Sequence, residues 1–537
     1  MKHKKLPRVA YFSMEYGLQS DFKVYAGGLG ILAGDFMKGA KDHNFPIVGI
    51  GLKWKQGYGD QTITSDGKVI DSFPNYSYDF LKDTGLMLSV DIRRRPVKFK
   101  VWKCTKFGNA EIYFLDTDVP GNEDGWITGQ LYGWFGEERI AQEMILGIGG
   151  VKALRALKID IDVYHFNEGH ALFAGFELMR EKIAKKMTYK KAFEATKKQI
   201  VFTTHTPVVQ GNESHYIDRL EYMGADNGCF TTKQLKDLGG SPFNMTVGAL
   251  RLSRKANAVA KLHTKTANKM WKKVKDRAQI ISITNAIHKP TWVDNRMVKA
   301  AEKNEDLWSI HQSNKADLLK FVNTRTGVKL NQEILTLGFS RRAVPYKRSD
   351  FIFSDRKKAD KLFLSGQLQI IFSGKAHPLD DGGKKIISNI IEITKRYPSS
   401  VVFLENYDMT IGAALTRGVD VWLNNPRRPQ EASGTSGMKA AMNGVLNLSI
   451  LDGWWPEACN HGINGWQIGD GFESKNDKIL DDYDKKSLYK VLLNEVLPAY
   501  KDRQKWIEMM RQSILSTKDA FAIKRMLEEY YSKLYAE

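Results

Sequence analysis

One nine-residue segment, residues 431–439, concentrates groups that could do chemistry. It holds a carboxylate, three hydroxyls, two glycines and a lysine, and a more apolar run, residues 439–446, follows it. This order is typical of a loop that leads into a buried helix. Small residues let backbone N–H groups approach an anion, and the start of a helix adds its dipole. Lys439 would then be either a point charge for phosphate or a Schiff-base amine, so the segment suggests a phosphorylated ligand and a pyridoxal cofactor.

A second cationic group lies far upstream. Four cations fall within eight residues there: Arg341, Arg342, Lys347 and Arg348. Alone, a basic cluster is usually a solvated face. Because this one directly follows a predicted strand, it is also a candidate anion clamp, with guanidinium forks that match phosphate oxygens. Two such anion sites in one cleft would hold two phosphates side by side.

Three polar loops follow predicted strands in the N-terminal half. The glycines of residues 27–30 are a weak signal, because many such loops are only tight turns. Residues 165–170 contain two histidines and a glutamate, but their spacing is not that of a zinc helix. Hydrogen bonding to a polyhydroxylated substrate fits them better, and we predict no metal site. His205 is as readily a structural hydrogen-bonding group as a catalytic one.

The elements that must position these loops are strands alternating with helices. This alternation predicts parallel sheets with helices on both faces, and ligands bind beyond the carboxyl ends of such strands. The predicted strands are residues 9–12, 47–52, 161–166, 200–204 and 280–283, then 334–339, 368–372, 401–404 and 419–423.

The fold class that follows is α/β, with two doubly wound Rossmann-like domains and the active site in the cleft between them. We place the domains at residues 1–288 and 289–537. A β-rich insertion is expected at about residues 52–127. Helices over residues 497–535, with an apolar face at Met526, Tyr530 and Leu534, are expected to end the chain and pack back on the first domain.

Composition limits the classes of function. The length of 537 residues exceeds what one core usually supports, and the 42% hydrophobic fraction suits a globular enzyme. The net charge of +20 favours anionic ligands, but the lysines are scattered, so a nucleic-acid-binding role is disfavoured. Three dispersed cysteines indicate a reducing compartment. Without a signal region or an apolar run of about 18 residues, we expect a soluble cytoplasmic protein that does not bind membranes.

Together these motifs resemble the α-glucan phosphorylases, the family of the glycogen, starch and maltodextrin enzymes. The match is most specific at residues 431–439 and continues through Met442-Asn443-Gly444 and Leu451-Asp452-Gly453. Further matching segments, in the family's order, are residues 9–15, 27–30, 167–170, 204–206, 284–285, 341–348, 374–376 and 403–407. The resemblance therefore covers nearly the whole chain. Ala343-Val344-Pro345 and Ser436-Gly437 resemble its compact bacterial and archaeal branch.

The resemblance implies a GT-B type glycosyltransferase fold. It also implies reversible, configuration-retaining phosphorolysis of terminal α-1,4-linked glucose by inorganic phosphate, which gives glucose 1-phosphate. The implied cofactor is pyridoxal 5′-phosphate, whose phosphate relays a proton to the glycosidic oxygen. No pair of catalytic carboxylates is then needed. A homodimer is favoured by family precedent. Because the first strand begins at Val9, the regulatory arm and allosteric control of longer members are expected to be missing.

The resemblance also assigns roles residue by residue. Lys439 would form the Schiff base. The cofactor phosphate would be contacted by Arg341, Thr435 and Ser436, with Gly28 near both phosphates. Arg342 and Lys347 would hold the substrate phosphate, within a segment that includes Tyr346. The glucosyl hydroxyls and neighbouring sugars would be bound by Glu431, Ser433, Gly434, His205, Asn285, Glu168 and His170. The backbone carbonyl of His205 would stabilise positive charge at the anomeric carbon.

Two other functions remain open at this point. A sugar-nucleotide-dependent glucosyltransferase similar to glycogen synthase would share the fold and the glycine loop, and Lys439 would then be structural. A catalytically silent glucan-binding protein would bind maltodextrin without forming glucose 1-phosphate. Pyridoxal absorbance that depends on Lys439 separates the phosphorylase from the first alternative.

Overall fold

The computed structural model describes residues 6–133 and 135–536. The described residues form two compact units. Unit 1 is drawn from Met1–Gly59, Phe73–Thr284 and Met526–Glu537, and unit 2 from Asp60–Ser72 and Asn285–Arg525. The domain boundary that the sequence places after residue 288 remains a prediction.

The strands are numbered in chain order. They are β1 (Val9–Phe12), β2 (Ile47–Leu52), β3 (Asp60–Ile63), β4 (Val69–Ser72), β5 (Lys82–Ile92), β6 (Arg95–Cys104), β7 (Ile112–Asp116), β8 (Val163–Asn167), β9 (Ile200–Thr204), β10 (Ser214–His215), β11 (Phe243–Asn244), β12 (Lys255–Ala258), β13 (Gln279–Ser282), β14 (Leu335–Ser340), β15 (Leu368–Ser373), β16 (Val401–Leu404), β17 (Val421–Asn424), β18 (Leu446–Ile450) and β19 (Gly465–Ile468).

The α-helices are numbered in the same way. They are α1 (Gly28–Asp42), α2 (Glu137–Met144), α3 (Gly150–Ala156), α4 (Leu172–Ala184), α5 (Tyr189–Lys197), α6 (Ile217–Met223), α7 (Thr232–Gly239), α8 (Met245–Leu252), α9 (Lys261–Met270), α10 (Lys289–Trp292), α11 (Asn295–Lys303), α12 (Leu307–Thr326), α13 (Arg356–Phe363), α14 (Asp381–Arg396), α15 (Met409–Gly418), α16 (Thr435–Met442), α17 (Trp455–Ala458), α18 (Asp477–Val491), α19 (Leu497–Lys501), α20 (Arg503–Thr517) and α21 (Ile523–Glu529). Short 3₁₀ segments are Gly125–Thr128, Gly169–Ala171, Val209–Gly211, Pro345–Lys347 and Phe351–Phe353, and π segments are Ile145–Gly149, Leu492–Val496 and Tyr530–Tyr535.

Unit 1 is built on a nine-stranded sheet in the order β13-β12-β9-β8-β1-β2-β7-β6-β5. Every pair from β13 to β7 is parallel, and β6 and β5 add an antiparallel edge. Val9 lies opposite Ile47 on one side and Val163 on the other. Of the strands within residues 52–127, β5, β6 and β7 extend the main sheet, whereas the β3–β4 hairpin belongs to unit 2.

Unit 2 contains a six-stranded, fully parallel sheet in the order β16-β15-β14-β17-β18-β19. Its strands read as continuous apolar runs because helices cover both faces. Leu335 pairs with Leu368, and Leu337 pairs with Val421. The switch in strand order falls between β14 and β17, where ligand sites occur in open α/β sheets. The predicted α/β class with two parallel sheets is confirmed.

Helix α1 packs closely on the loop after β1. A Cβ atom on Gly34 would lie 1.9 Å from the carbonyl oxygen of Gly17. Only a glycine permits this approach, which fixes α1 and the glycine loop at its N-terminus against the end of β1.

The sequence locates most strands within a few residues, but misses β10, β11, β12, β18 and β19. It predicts one buried helix after Lys439, whereas α16 ends at Met442 and Leu446 begins β18. Gly444, at φ +74°, makes the turn between them. Both segments are apolar because both are buried, so hydrophobicity alone did not separate helix from strand.

At the C-terminus, the predicted apolar face is buried. Met526, Tyr530 and Leu534 are all at most 2% exposed. This last segment belongs to unit 1, where the Tyr535 hydroxyl lies 2.7 Å from Nδ1 of His165. Among the described residues, no helix combines the length and apolar character needed to cross a membrane.

A buried ion cluster fixes α12 to the sheet of unit 2. The Asp420 carboxylate accepts hydrogen bonds from Lys315 Nζ at 2.6 Å and from the Thr336 amide at 2.8 Å, and His311 Nε2 lies 2.9 Å away. The side chains of Asp420, Lys315 and His311 are fully buried. Burial raises the pKa of Asp420, but Lys315 and His311 outweigh it and hold the pKa below its usual value.

We predict that Asp420→Ala destabilises unit 2 by about 3–5 kcal/mol, because it leaves the Lys315 ammonium buried without its carboxylate. Urea denaturation followed by circular dichroism measures the loss. Asp360→Ala, which breaks the surface pair with Arg396, is the control and should cost far less. Equal losses in the two variants would contradict the assignment.

Candidate active site

In unit 2, the carboxylate of Glu431 lies between two cations from the loop after β14. Lys347 Nζ donates to Oε2 of Glu431 at 2.8 Å, and Arg341 Nη2 donates to the same oxygen. Arg341 also donates to Oδ1 of Asn424, at the end of β17. The side chains of all three charged residues are at most 10% exposed. Two strand-end loops thus meet in one buried ionic contact.

The pKa values of Glu431 and Lys347 are both shifted at this contact. Burial raises the pKa of Glu431, but Arg341 and Lys347 outweigh it, so the carboxyl is ionised well below neutral pH. Burial and the charge of Arg341 lower the pKa of Lys347 to about 7, against the opposing effect of Glu431. A bound anion would raise the pKa of Lys347 again, because a nearby negative charge favours the charged ammonium.

The other two arginines of the cluster differ sharply. Arg348, at φ +49°, points into the protein, where it pairs with Asp481 and Asp484 at 2.7 Å each. It also donates to the carbonyl of Asn425, so it serves the fold. Arg342 is exposed and has no hydrogen-bond or ion-pair partner among the described residues. Of these two, only Arg342 is available to a ligand.

A buried carboxylate holds the loop that carries Glu431. The Glu431 amide donates to Oδ2 of Asp452 at 2.9 Å, and the Gly453 amide donates to Oδ1 at 2.8 Å. The Trp454 amide donates to the carbonyl of Ser433 at 2.9 Å. Burial raises the pKa of Asp452 to about 7, and nearby Glu431 adds to this. Sequence reasoning quoted Asp452 as a motif residue but missed this role.

The segment then turns into α16 at Gly434, whose φ of +83° favours glycine. Thr435 and Ser436 form the first turn of the helix, and Trp422 Nε1 donates to the Ser436 hydroxyl at 3.3 Å. The buried hydroxyl of Ser433 has no hydrogen-bond partner among the described residues. Such an unsatisfied buried group indicates a polar ligand.

Lys439 lies one turn into α16 and is only 4% exposed. Its Nζ lies 3.2 Å from the ring centroid of Trp292, at the end of α10. The Trp292 carbonyl accepts hydrogen bonds from Asn443 Nδ2 at 3.1 Å and Arg417 Nε at 3.0 Å. Trp292 was missed by sequence reasoning, because no local pattern connects it to Lys439. Asn285, also in unit 2, has a buried side-chain oxygen without a partner among the described residues.

In unit 1, Glu168 follows β8 at φ +77° and organises the next strand-end loop. Its Oε2 accepts from the His205 amide at 2.7 Å and the Thr206 hydroxyl at 3.3 Å. Burial raises the pKa of Glu168 to about 7 and lowers the pKa of His205 to about 3. His205 is therefore neutral, and its Nε2 lies 2.7 Å from Oδ1 of Asn167.

His170 belongs to a buried ion cluster. Arg139 Nε donates to Glu213 at 3.0 Å, Arg139 Nη2 lies 3.4 Å from His170 Nε2, and His215 Nε2 lies 3.0 Å from Glu143. Ligand atoms of Glu143, His170 and Glu213 lie within 4.8 Å of one another, close enough for a metal. The Arg139 guanidinium already supplies the positive charge there and would repel a cation.

The glycine loop of unit 1 is open toward solvent. A Cβ atom at Gly27 or Gly28 would meet nothing within 4 Å. Behind the loop, Oε2 of Glu15 accepts from the amides of Ala26 at 2.6 Å and Gly27 at 3.0 Å. Gly28 is the first residue of α1, whose N-cap has no side-chain hydrogen bond.

Comparison with known proteins agrees with this arrangement. Residues 291–460 match the model of the carbohydrate phosphorylase family. The chain is 38% identical to the maltodextrin phosphorylase of Thermococcus litoralis, over 98% of this chain and 70% of that protein. It is 36% identical to the glycogen phosphorylase of Aquifex aeolicus, over 98% and 86% respectively. The Mycobacterium tuberculosis glycogen phosphorylase is 33% identical, over 98% and 70%.

The chain belongs to the carbohydrate phosphorylase family. The resemblance read from the motifs is thereby confirmed, as is the α/β fold of GT-B type. Of the residues assigned in this phosphorylase, unit 2 contains Lys439, Arg341, Arg342, Tyr346, Lys347, Glu431, Ser433, Gly434, Thr435, Ser436 and Asn285, and unit 1 contains Gly28, Glu168, His170 and His205. Their individual roles remain predictions.

The structure joins some of these phosphorylase residues in an unexpected way. Arg341 and Lys347 were assigned to different phosphates, yet both bind the carboxylate of Glu431, which was assigned to the sugar. Tyr346 packs its ring 4.9 Å from Lys347 Nζ. The contact predicts that ligands compete with Glu431 for the same cations.

Glu168 yields a pH-dependent prediction. Its carboxyl stays protonated to about pH 7 in the folded protein, against an ordinary value of 4.5. The stabilisation is therefore full below pH 4.5 and is lost as pH rises through about 7. Glu168→Gln keeps an oxygen acceptor but does not ionise. We expect the melting temperature of the variant, relative to wild type, to rise between pH 5 and 7 and then level off.

Thermal unfolding in a pH series measures this difference. Glu194→Gln, at an exposed position on α5, is the control and should show no such trend. A difference that is constant from pH 5 to 8 would show that Glu168 titrates normally.

Proposed function

We propose that this protein is an α-1,4-glucan phosphorylase, which reversibly transfers terminal glucosyl residues to inorganic phosphate with retained configuration, giving glucose 1-phosphate. The observation that carries the proposal is the shared contact of Arg341 and Lys347 with Glu431 beside the turn into α16. This contact brings two cations and a carboxylate together in one buried place, and we assign the cations to phosphate and the carboxylate to sugar hydroxyls. The names of the maltodextrin and glycogen phosphorylase relatives support it.

The proposed cofactor is pyridoxal 5′-phosphate. The residues fit this group: Lys439 is buried against an aromatic ring, and the first turn of α16 carries two hydroxyls. Lys439 would hold the cofactor covalently, and Thr435, Ser436 and Arg341 would hold its phosphate. When bound, the cofactor's phosphate supplies the proton transfer that other glycosyl-cleaving enzymes obtain from carboxyl groups.

The protein's own residues would then bind and orient the substrates. The substrate phosphate would be held by Arg342, which has no partner among the described residues, and by Lys347, whose pKa is lowered by burial and by Arg341. As that anion pairs with Lys347, it would weaken the contact of Lys347 with Glu431, which would then accept hydrogen bonds from glucosyl hydroxyls. The unsatisfied hydroxyl of Ser433 and the side-chain oxygen of Asn285 would add to these contacts.

The proposed role of unit 1 is to bind glucan. Glu168 fixes the backbone of His205, so that the carbonyl of His205 has a defined direction for stabilising charge at the anomeric carbon. His170 would contact sugar hydroxyls from the Arg139 cluster, and Gly28 would offer its backbone to phosphate. We further propose a cytoplasmic location and a homodimer.

Lys439→Ala tests the cofactor. The purified wild-type protein should show pyridoxal absorbance and form glucose 1-phosphate from maltodextrin and phosphate, and the variant should lose both. Lys385→Ala, an exposed lysine on α14, is the control. Colourless wild-type protein with nucleotide-sugar-dependent activity would favour the glycogen-synthase-like alternative. Maltodextrin binding without product would indicate a silent glucan-binding protein.

Arg342→Ala and Lys347→Ala test the phosphate clamp. Each should reduce phosphorolysis more than about tenfold, because electrostatic contacts to a phosphate are worth a few kcal/mol. Bound pyridoxal should remain, as measured by absorbance. Arg356→Ala, an exposed arginine on α13, should leave the rate unchanged. Full activity in both clamp variants would place the phosphate elsewhere.

A further inference from the structure

We propose that Tyr132 is a positioning residue that acts through Glu15 to hold the glycine loop of residues 27–30 in its phosphate-binding shape. The proposal rests on the function above, because it gives this loop its role toward phosphate. It also joins the loop to the Arg139 cluster that carries His170. Neither Tyr132 nor Glu15 was singled out from the sequence for this role.

Glu15 is the centre of the arrangement. Glu15 is 3% exposed, and its carboxylate accepts hydrogen bonds from the amides of Ala26 and Gly27 on Oε2 and from the Tyr132 hydroxyl on Oε1 at 2.9 Å. A buried carboxylate needs such donors to offset the cost of its burial. The donors carry the proposed role, because two of them are backbone amides of the segment that leads into α1.

Gly30 lies on the side of the loop that faces Glu15, where a side chain would not fit. A Cβ atom there would lie 2.5 Å from Oε2 of Glu15. A side chain at this position would displace the carboxylate from the amides that it holds. Gly27 and Gly28 face open space instead, so the backbone of the loop is accessible on one face and held by Glu15 on the other.

Tyr132 is held in place from several directions. It adopts φ +59°, which is uncommon for a residue with a side chain and costs free energy that its surroundings must offset. The neighbouring Leu131 amide donates to the Gly57 carbonyl at 2.8 Å. The Arg139 guanidinium lies 4.6 Å from the Tyr132 ring centroid, and the His170 ring lies 5.9 Å away. The hydroxyl therefore has one fixed direction, toward Glu15.

These contacts form a continuous path within unit 1, from His170 and Arg139 through Tyr132 and Glu15 to Gly27. Its ends are a cluster assigned to glucan and a loop assigned to phosphate. Tyr132 thus fixes the geometry of backbone amides without itself touching phosphate.

Tyr132→Phe tests this directly, because it keeps the ring against Arg139 and removes only the hydroxyl. We expect the KM for phosphate to rise about tenfold, since hydrogen bonds to charged groups are of that size. The KM for maltodextrin should change less than about twofold, with bound pyridoxal unchanged. Tyr113→Phe is the matched control, because it removes a 2.9 Å bond to the Glu111 carboxylate elsewhere in unit 1. Equal changes in both KM values, or none, would overturn the proposal.

Amide hydrogen exchange provides a second readout that does not depend on activity. Exchange at residues 26–30 should accelerate in Tyr132→Phe and in Gly30→Ala, but not in Tyr113→Phe. Unchanged exchange in Tyr132→Phe would overturn the positioning role. If wild-type protein forms no glucose 1-phosphate while exchange still accelerates, the proposed function fails and the structural link between Tyr132 and the loop stands.

Discussion

The buried contact of Glu431 with Arg341 and Lys347 is the constraint on which the candidate site depends. Three charges removed from water are costly unless each is paired with good geometry, and here one carboxylate serves two cations. The loops that carry them follow different strands of one parallel sheet, so the sheet must hold both loops in register. The turn at Gly434 and the hydrogen bonds to Asp452 contribute to this register, because they fix the position and direction of the Glu431 side chain.

The same device recurs across the protein. Each of four buried carboxylates accepts a hydrogen bond from the backbone amide of a separate segment. Three of these amides lie in loops, and the fourth, that of Thr336, lies in β14. The pairs are Asp452 with Glu431, Glu168 with His205, Glu15 with Gly27, and Asp420 with Thr336. A backbone N–H that lies outside a helix or sheet must find an acceptor when buried. In each of the three loops a buried carboxylate supplies that acceptor and so fixes the position of the backbone. The first three serve loops assigned to ligands, whereas Asp420 stabilises the core.

Local patterns predicted the parallel sheets, because strand period and turn chemistry depend on neighbouring residues. They also singled out residues 431–439, whose role stays a prediction. They did not predict which distant residues the candidate site residues contact. Lys439 lies against Trp292, and Arg348 turns away from its neighbours to Asp481 and Asp484. Such pairings join segments far apart in the chain. The residues next to a cation do not indicate which distant carboxylate it will pair with. The prediction for the apolar run after Lys439 was wrong for a related reason. When a segment is buried on all sides, its sequence lacks the hydrophobic periodicity that distinguishes a helix from a strand.

The charge balance of the unit 2 site favours an anion over a neutral ligand alone. Arg341, Arg342 and Lys347 bring three potential positive charges, whereas Glu431 supplies one negative charge and burial raises the pKa of Asp452 to about 7. Burial and the charge of Arg341 lower the pKa of Lys347, and Glu431 alone does not offset them. A dianion bound by Arg342 and Lys347 would restore the lysine charge and weaken its hold on Glu431. In the proposed function, binding of phosphate would therefore make the Glu431 carboxylate available to sugar hydroxyls.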